Sequence, residues 1–298
     1  MIKQTLVYGN CQAGAIANMI CSNDNIKVSS VYCVETPLTK SEFTDLIKKS
    51  DIIITQPIED GYRKTDYLST SYILENCNDE CEVVILPSLY FNFYYFDATA
   101  VKFETFEPPS LIEPATYHYT KMMKAFVNGL SVDEYINEYV NNEDLRTKSE
   151  LDSIAMDSIS ILREKEQNSR KYAKLHTRVK FVDASDYIEN NYKKKLLFYA
   201  VNHPTHFLMS FVVKNILKSL GLNTSDANLK LDPLSNNKLL LYSCVQRAVD
   251  FDITEHKPKM KEYTEVDSIC NKYYEAYECD KNKKYVKQYV GENTNQLI

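Results

Sequence analysis

The chain has 298 residues, 44% of them hydrophobic and 26% charged, which is the composition of an ordinary folded protein and excludes disorder as its main state. Its formal net charge of −6 excludes a nucleic-acid binder of the electrostatic kind, so no nucleic-acid partner is expected. Only six residues are glycine, where an average chain of this length holds about 20, and neither the Walker loop nor the dinucleotide fingerprint occurs.

Taken in chain order, Lys3 to Tyr8 reads as a buried strand. Ala13 to Cys21, with Ala13, Ile16, Ala17 and Ile20 at helical spacing, reads as a helix starting directly after a tight turn. Ile26 to Val34 is the next strand, and Ser41 to Lys49 a short helix with Ser41 as its N-cap. A third strand at Asp51 to Thr55 stops at Gln56-Pro57. A helix near Tyr67 to Asn76 and a strand at Glu82 to Leu86 follow. Short continuous apolar strands alternating with helices predict an α/β fold, with a parallel sheet flanked by helices.

The middle of the chain changes character. Pro87 to Pro114 is rich in aromatics and proline, and Tyr117 to His176 reads as helical, with Ser131-x-x-Glu134 as a capping box. Leu151, Ile154, Ser158, Ile161 and Leu162 form the apolar stripe of one helix in that block. Strand signals return at Val179 to Val182 and Leu196 to Val201. Asn202-His203-Pro204-Thr205 then leads into a helix from Thr205 to Leu220, with Pro204 at its first position and Gly221 closing it. The expected organisation is an α/β catalytic domain at 1–222, with a helical insertion at about 115–177. A helical appendage at 223–298 packs on the same core and ends in a loose last ten residues.

The N-terminal apolar run is too short for a signal peptide, and no apolar stretch approaches the roughly 20 residues of a membrane span. A cytoplasmic location without an integral membrane segment is therefore the default expectation. Eight cysteines occur with no Cys-x-x-Cys, and reduced thiols are expected. Cys77-x3-Cys81 has no second pair at ligand spacing, so no metal site is expected. The 23 tyrosines suggest polar aromatic surfaces.

Two short motifs carry chemistry. Gly9-Asn10-Cys11-Gln12 stands where the first strand gives way to a helix, the place where parallel sheets assemble active sites. A thiol there meets unpaired N–H groups and the positive end of a helix dipole, which favour the thiolate and make Cys11 a candidate nucleophile. Asn10 and Gln12, with the turn's backbone N–H groups, are candidate donors to an oxyanion. The competing reading of Cys11 is a buried structural cysteine. Asn202-His203-Pro204-Thr205-His206 stands at a second strand-to-helix junction, where His203 is a candidate general base. A capping or core histidine, or half of a metal site with His206, remain the alternatives. Gln56, after the third strand, shares the sheet edge with Cys11. His118, in Tyr117-His118-Tyr119, is a further histidine that could approach the cleft.

Together, Gly9-Asn10-Cys11-Gln12, Gln56-Pro57-Ile58, the Pro87 to Asp97 block, Tyr117-His118, Arg163-Glu164 and Asn202-His203-Pro204-Thr205 resemble the WcbI-type capsular polysaccharide biosynthesis family. The resemblance covers residues 3 to 220 and departs from the family in the aromatic block, at Asn92 or Phe93, and at Tyr119. It implies an SGNH or flavodoxin-like layout of that sheet and an acetyl-CoA-dependent O-acetyltransferase acting on a sugar or polysaccharide precursor, with coenzyme A or acetyl-CoA as co-substrate. Its partners would be a small-molecule acyl donor and a glycan acceptor. Cys11 is then the nucleophile or thiol-contacting residue and His203 the base. Asn10, Gln12, Gln56, His118 and Asn202 contact oxyanion or substrate. Gly9, Tyr117, Lys121 and Arg170 are candidate cofactor contacts, and Arg63, Lys64, Lys124 and Arg178 are further cations for its phosphates. The alternatives are an SGNH-like esterase or deacetylase using the same Cys-His pair, and a non-catalytic glycan- or coenzyme-A-binding protein.

Overall fold

The structure, a computed structural model, describes residues 2–21, 26–32, 38–100, 117–260 and 262–292. The end of the expected second strand at 33–34, residues 101–114 of the proline-rich block and the expected loose end at 293–298 lie outside them. Strand β1 (Lys3–Gly9) leads into α1 (Cys11–Ile20), β2 (Ile26–Tyr32) into α2 (Lys40–Lys49), and β3 (Ile52–Thr55) into α3 (Thr70–Asn76). There follow β4 (Glu82–Ile85), β5 (Ala98–Ala100), β6 (Tyr117–Tyr119), α4 (Thr120–Val127), α5 (Val132–Tyr135), α6 (Lys148–Ser169), β7 (Val179–Phe181) and α7 (Ser185–Asn191). The chain continues through β8 (Phe198–Ala200), β9 (His203–Pro204), α8 (His206–Ser219), β10 (Asn237–Lys238), β11 (Lys259–Met260), α9 (Val266–Glu278) and α10 (Asp280–Glu292).

Two compact units are distinguished: Met1–Tyr90 with Ile159–Tyr192 and Asn202–Ser235, and Phe91–Ser158 with Lys193–Val201 and Asn236–Ile298. The first unit holds the expected parallel sheet, five strands in the order β2-β1-β3-β4-β7 with every neighbouring pair parallel. Leu6, Tyr8, Ile53, Val83 and Ile85 pack against Phe43 and Ile47 of α2 and Ile73 and Leu74 of α3. The alternate residues Val7, Ile54 and Val84 are equally buried, and α1 packs on β1, β2 and α8. A sheet covered on both faces needs continuously apolar strands, which is why β3 reads Ile52-Ile53-Ile54.

The chain runs outward to β2 on one side of β1 and to β3 on the other. Such a strand order places a crevice at the carboxyl ends of β1 and β3, where doubly wound sheets bind ligands. Cys11 is the second residue after β1.

The second unit is built on α4, α5, α9 and α10, with an antiparallel β5-β6 pair. Tyr94, Tyr95, Tyr119, Tyr135, Tyr242, Tyr273 and Tyr277 are buried in it. These tyrosines are core residues, not the expected polar aromatic surface.

Several elements differ from expectation. Helix α1 begins at Cys11 because the Asn10 side chain accepts the Gln12 N–H. Helix α2 is capped by Thr39, not Ser41, because Thr39 and Glu42 form a reciprocal capping box. Residues 117–119 are a strand paired with β5, not the start of a helical block. The buried stripe of α6 is Leu151, Ala155, Ser158, Ile159 and Leu162, which keeps the 3.6-residue period, whereas Ile161 is 52% exposed. The strand at 198–200 stands outside the five-stranded sheet. Helix α8 starts at His206 with Thr205 in extended N-cap geometry, so Pro204 precedes the helix. Its C-terminus does close on Gly221 at φ 68°, where Leu222 N–H bonds Leu217 O and Gly221 N–H bonds Lys218 O.

Candidate active site

The turn between β1 and α1 is held from three directions, all within the first unit. Asn10, in extended conformation, caps α1 through Oδ1, which accepts the Gln12 N–H at 2.9 Å. The Asn10 N–H donates to Gln56 Oε1 at 2.8 Å. That contact explains Gly9: a Cβ there would lie 2.4 Å from Gln56 Oε1, so the glycine admits the Gln56 amide and serves close approach.

Gln12 is 1% exposed, and its carboxamide is fully engaged. Nε2 donates to Leu89 O at 2.7 Å and Asn202 O at 2.8 Å. Oε1 accepts from Gln56 Nε2 and from Leu89 N–H, each at 3.0 Å. Two donors and two acceptor positions are all an amide offers. Gln12 therefore cannot also donate to a substrate; it ties the loops after β3 and β4 and the 202–205 segment to the Cys11 turn. Gln56 is anchored in turn through its carbonyl, which accepts from the hydroxyls of Thr55 and Thr70.

Cys11 occupies the first helical position of α1, half-buried and outside any disulfide. The N-terminal field of a ten-residue helix lowers the cost of negative charge at this sulfur. Beside it the Asn10 amide keeps its Nδ2 donor uncommitted among the described residues, since only its oxygen caps the helix.

The Asn202-His203-Pro204-Thr205 segment meets this turn through the Gln12 bond to the Asn202 carbonyl. Asn202 Oδ1 is a buried acceptor to which no described residue donates. His203, the next residue, is half-buried on β9. His206 points elsewhere, with Nδ1 at 3.8 Å from Asp232 Oδ2 and its ring against Phe207 at 3.9 Å between centroids. Among the described residues no three His, Cys, Asp or Glu side chains gather as a metal site would require.

The other candidates divide by unit. Arg170, in the first unit, pairs with Asp183 and lies 4.3 Å over the Phe181 ring. Arg178 pairs with Glu80 and Glu82. Arg63 and Lys64 form a turn with φ of 53° and 58°, unusual for residues with a Cβ. Tyr117, His118 and Lys121 belong to the second unit. There His118 is 2% exposed, 3.0 Å from the Tyr277 hydroxyl and stacked on that ring. Burial pushes its pKa down to about 4. The Tyr117 carbonyl accepts from Tyr273. Lys121 gives its backbone N–H to Asp97, and burial lowers the pKa of its amine. The residues that sequence reasoning missed are Leu89 and Thr70, whose contributions come from two backbone groups and a supporting hydroxyl.

A family model for the polysaccharide biosynthesis enzyme WcbI matches residues 4–225. Among solved structures, one of WcbI, described as a novel polysaccharide biosynthesis enzyme, is similar with a TM-score of 0.75 and 19% identity, over 98% of this chain and 96% of that one. That structure is described as native protein without a disulfide bond between coenzyme A and one of its cysteines. Likeness at this identity speaks for the fold. No curated protein matches the chain. No helix among the described residues is long and apolar enough to cross a membrane.

Proposed function

This chain belongs to the WcbI family of polysaccharide biosynthesis enzymes, and from that premise we propose that it transfers an acetyl group from acetyl-coenzyme A to a sugar hydroxyl. The observation that carries the reading is the placement of Cys11: first residue of α1, at the carboxyl edge of the sheet between β1 and β3, on a turn tied to the segment that presents His203. The similar WcbI structure, described as lacking a disulfide bond between coenzyme A and one of its cysteines, names coenzyme A for that protein and so supports it as the donor's carrier here.

In the covalent route the Cys11 thiol gives its proton to His203, and the sulfur attacks the thioester carbonyl. The carbon–sulfur bond to coenzyme A breaks, and the departing thiolate takes the proton back from His203. A sugar hydroxyl then gives its proton to His203 while its oxygen attacks the acetyl-Cys11 carbonyl. Cys11 leaves as thiolate and recovers that proton. Asn10 Nδ2 is the donor for the oxyanion at each step, since the Gln12 and Ala13 N–H groups are already given to the Asn10 side chain and carbonyl. Asn202 Oδ1 is a buried acceptor for an amide N–H or a hydroxyl of either substrate. Gln12 and Gln56 are positioning residues in this scheme, because the Gln12 amide is spent on the turn itself and the Gln56 amide holds Asn10 and Gln12 in it.

Intact-mass measurement after incubation with acetyl-coenzyme A is expected to show an acetyl adduct that Cys11→Ala lacks, together with a loss of turnover of roughly a thousandfold in that variant. Turnover with no adduct in the wild type would leave only direct transfer assisted by Cys11. Undiminished turnover by Cys11→Ala, or no calorimetric binding of coenzyme A, would sink the reading.

A further inference from the structure

The loops after β3 and β4 are two-sided. Gln56 and Leu89 face the Cys11 turn, whereas their chain neighbours Pro57 and Ser88 line a cavity of about 330 Å³ within the first unit. Tyr90, Glu59, Lys165 and Asn168 contribute to the same wall. We propose that this cavity holds a pyranose unit of the acceptor glycan, beside the acyl-transfer turn; the inference deepens the reading of the preceding subsection and relies on it for the nature of the acceptor.

Size, polarity and position argue for it. The volume lies at the lower end of the usual range for small-molecule sites. The polar groups are of both kinds: Lys165 and Asn168 donate, while Glu59 and the Asn168 carbonyl accept. Sugar hydroxyls donate and accept at once, so they use both. A phosphate accepts only and would leave the Glu59 and Asn168 acceptor oxygens without a donor, which argues against the coenzyme's phosphates as occupant. Tyr90 is 39% exposed, and with Pro57 it offers an apolar surface to the C–H face of a sugar ring.

Lys171 is already engaged, with Nζ at 2.9 Å from both Glu59 oxygens. Lys165 has no carboxylate partner among the described residues. Its ammonium stands 5.2 Å over the Tyr90 ring, which leaves N–H donors for a ligand. The cavity adjoins the turn through single residues, Pro57 after Gln56 and Ser88 before Leu89. A sugar seated there meets residues one position along the chain from Gln56 and Leu89, the groups that fix the Cys11 turn.

Saturation-transfer NMR and calorimetry with methyl α-glucopyranoside, methyl α-galactopyranoside and methyl glucuronide test the proposal on the whole protein without coenzyme A. At least one glycoside is expected to bind the wild type and Cys11→Ser, and to bind Tyr90→Ala and Asn168→Ala about tenfold more weakly. Coenzyme A affinity of those two variants should stay within about twofold. Both residues are exposed, so the variants should fold; matching thermal midpoints check this. Preference for the glucuronide would assign Lys165 to an anionic sugar, and Lys165→Ala should then erase that preference. The inference is overturned if no glycoside binds, if glycoside binding is indifferent to both substitutions, or if they weaken coenzyme A instead. Loss of coenzyme A binding by the wild type would sink acyl transfer while leaving the glycoside result standing.

Discussion

The two units both bury polar side chains but use them differently. Around Cys11 the buried groups are the amides of Gln12 and Gln56, neutral at every pH, and they hold a half-buried thiol at the edge of a sheet. In the second unit the buried groups titrate. Asp97 accepts hydrogen bonds from Tyr242 at 2.6 Å, from Thr120 and from the Lys121 N–H, and Tyr242 meets Tyr135 at 2.7 Å. Burial raises the Asp97 pKa to about 6 and lowers those of His118 and His256 to about 4 each. The contrast teaches that a perturbed pKa by itself does not mark the reactive centre. Asp97 and His118 are shifted because they lie in a tyrosine-rich core, whereas Cys11, the reactive candidate, stands at a helix terminus held by an amide lattice.

The sharpest way to break that contrast is to remove the lattice. Gln12→Leu leaves Leu89 N–H, Leu89 O, Asn202 O and Gln56 Nε2 without their partner in a buried place. With about 1–3 kcal/mol for each group that finds no water, the expected loss of stability in urea titration is about 4 kcal/mol. A loss below about 1 kcal/mol would mean that the turn is held by something other than these amides. Gly9→Ala should act through the same lattice from the other side, since the new methyl must displace the Gln56 amide. About 2 kcal/mol is expected, together with reduced turnover in the proposed reaction as the Asn10 N–H loses its acceptor.

How far these features were legible follows from their range along the chain. The strand-to-helix junctions at Cys11 and His203 could be read because apolar period and turn residues are local signals. The parallel sheet followed from continuous runs such as Ile52-Ile53-Ile54 for the same reason. The Thr39 cap was equally legible, since Thr39-x-x-Glu42 is a complete capping box and Ser41 has no such partner. The closing of Gln12 onto Leu89 and Asn202, 77 and 190 residues away, was not legible, because no local pattern states which carbonyls an amide will meet. His118 shows the opposite failure. Tyr117-His118-Tyr119 looks like a site when read as a helix start. As a strand paired with β5 it places the imidazole against Tyr277 and out of reach of solvent.

The smallest effects should sharpen the contrast through pH. The Asp97 pKa is raised in the native state, so between about pH 4 and 6 the native protein keeps a proton that the unfolded chain, with its carboxyl at about 3.9, releases. Stability from this group is present at low pH and is lost as pH rises through that window, by up to about 1.4 kcal/mol per unit. His118 and His256 have the opposite sign. The unfolded chain binds their protons below about 6.5 and the native state does not until about 4, so their contribution falls as pH falls. Over the shared window Asp97 cancels one of the two histidines, and a net positive slope of about one proton remains. Asp97→Asn should roughly double that slope, and His118→Phe should nearly flatten it, whatever either substitution does to stability at pH 7. Urea midpoints at a series of pH values read the slopes directly. Equal slopes in the two variants would show that these groups are reached by water and titrate normally, and that the second unit is no more sensitive to pH than the amide lattice of the first.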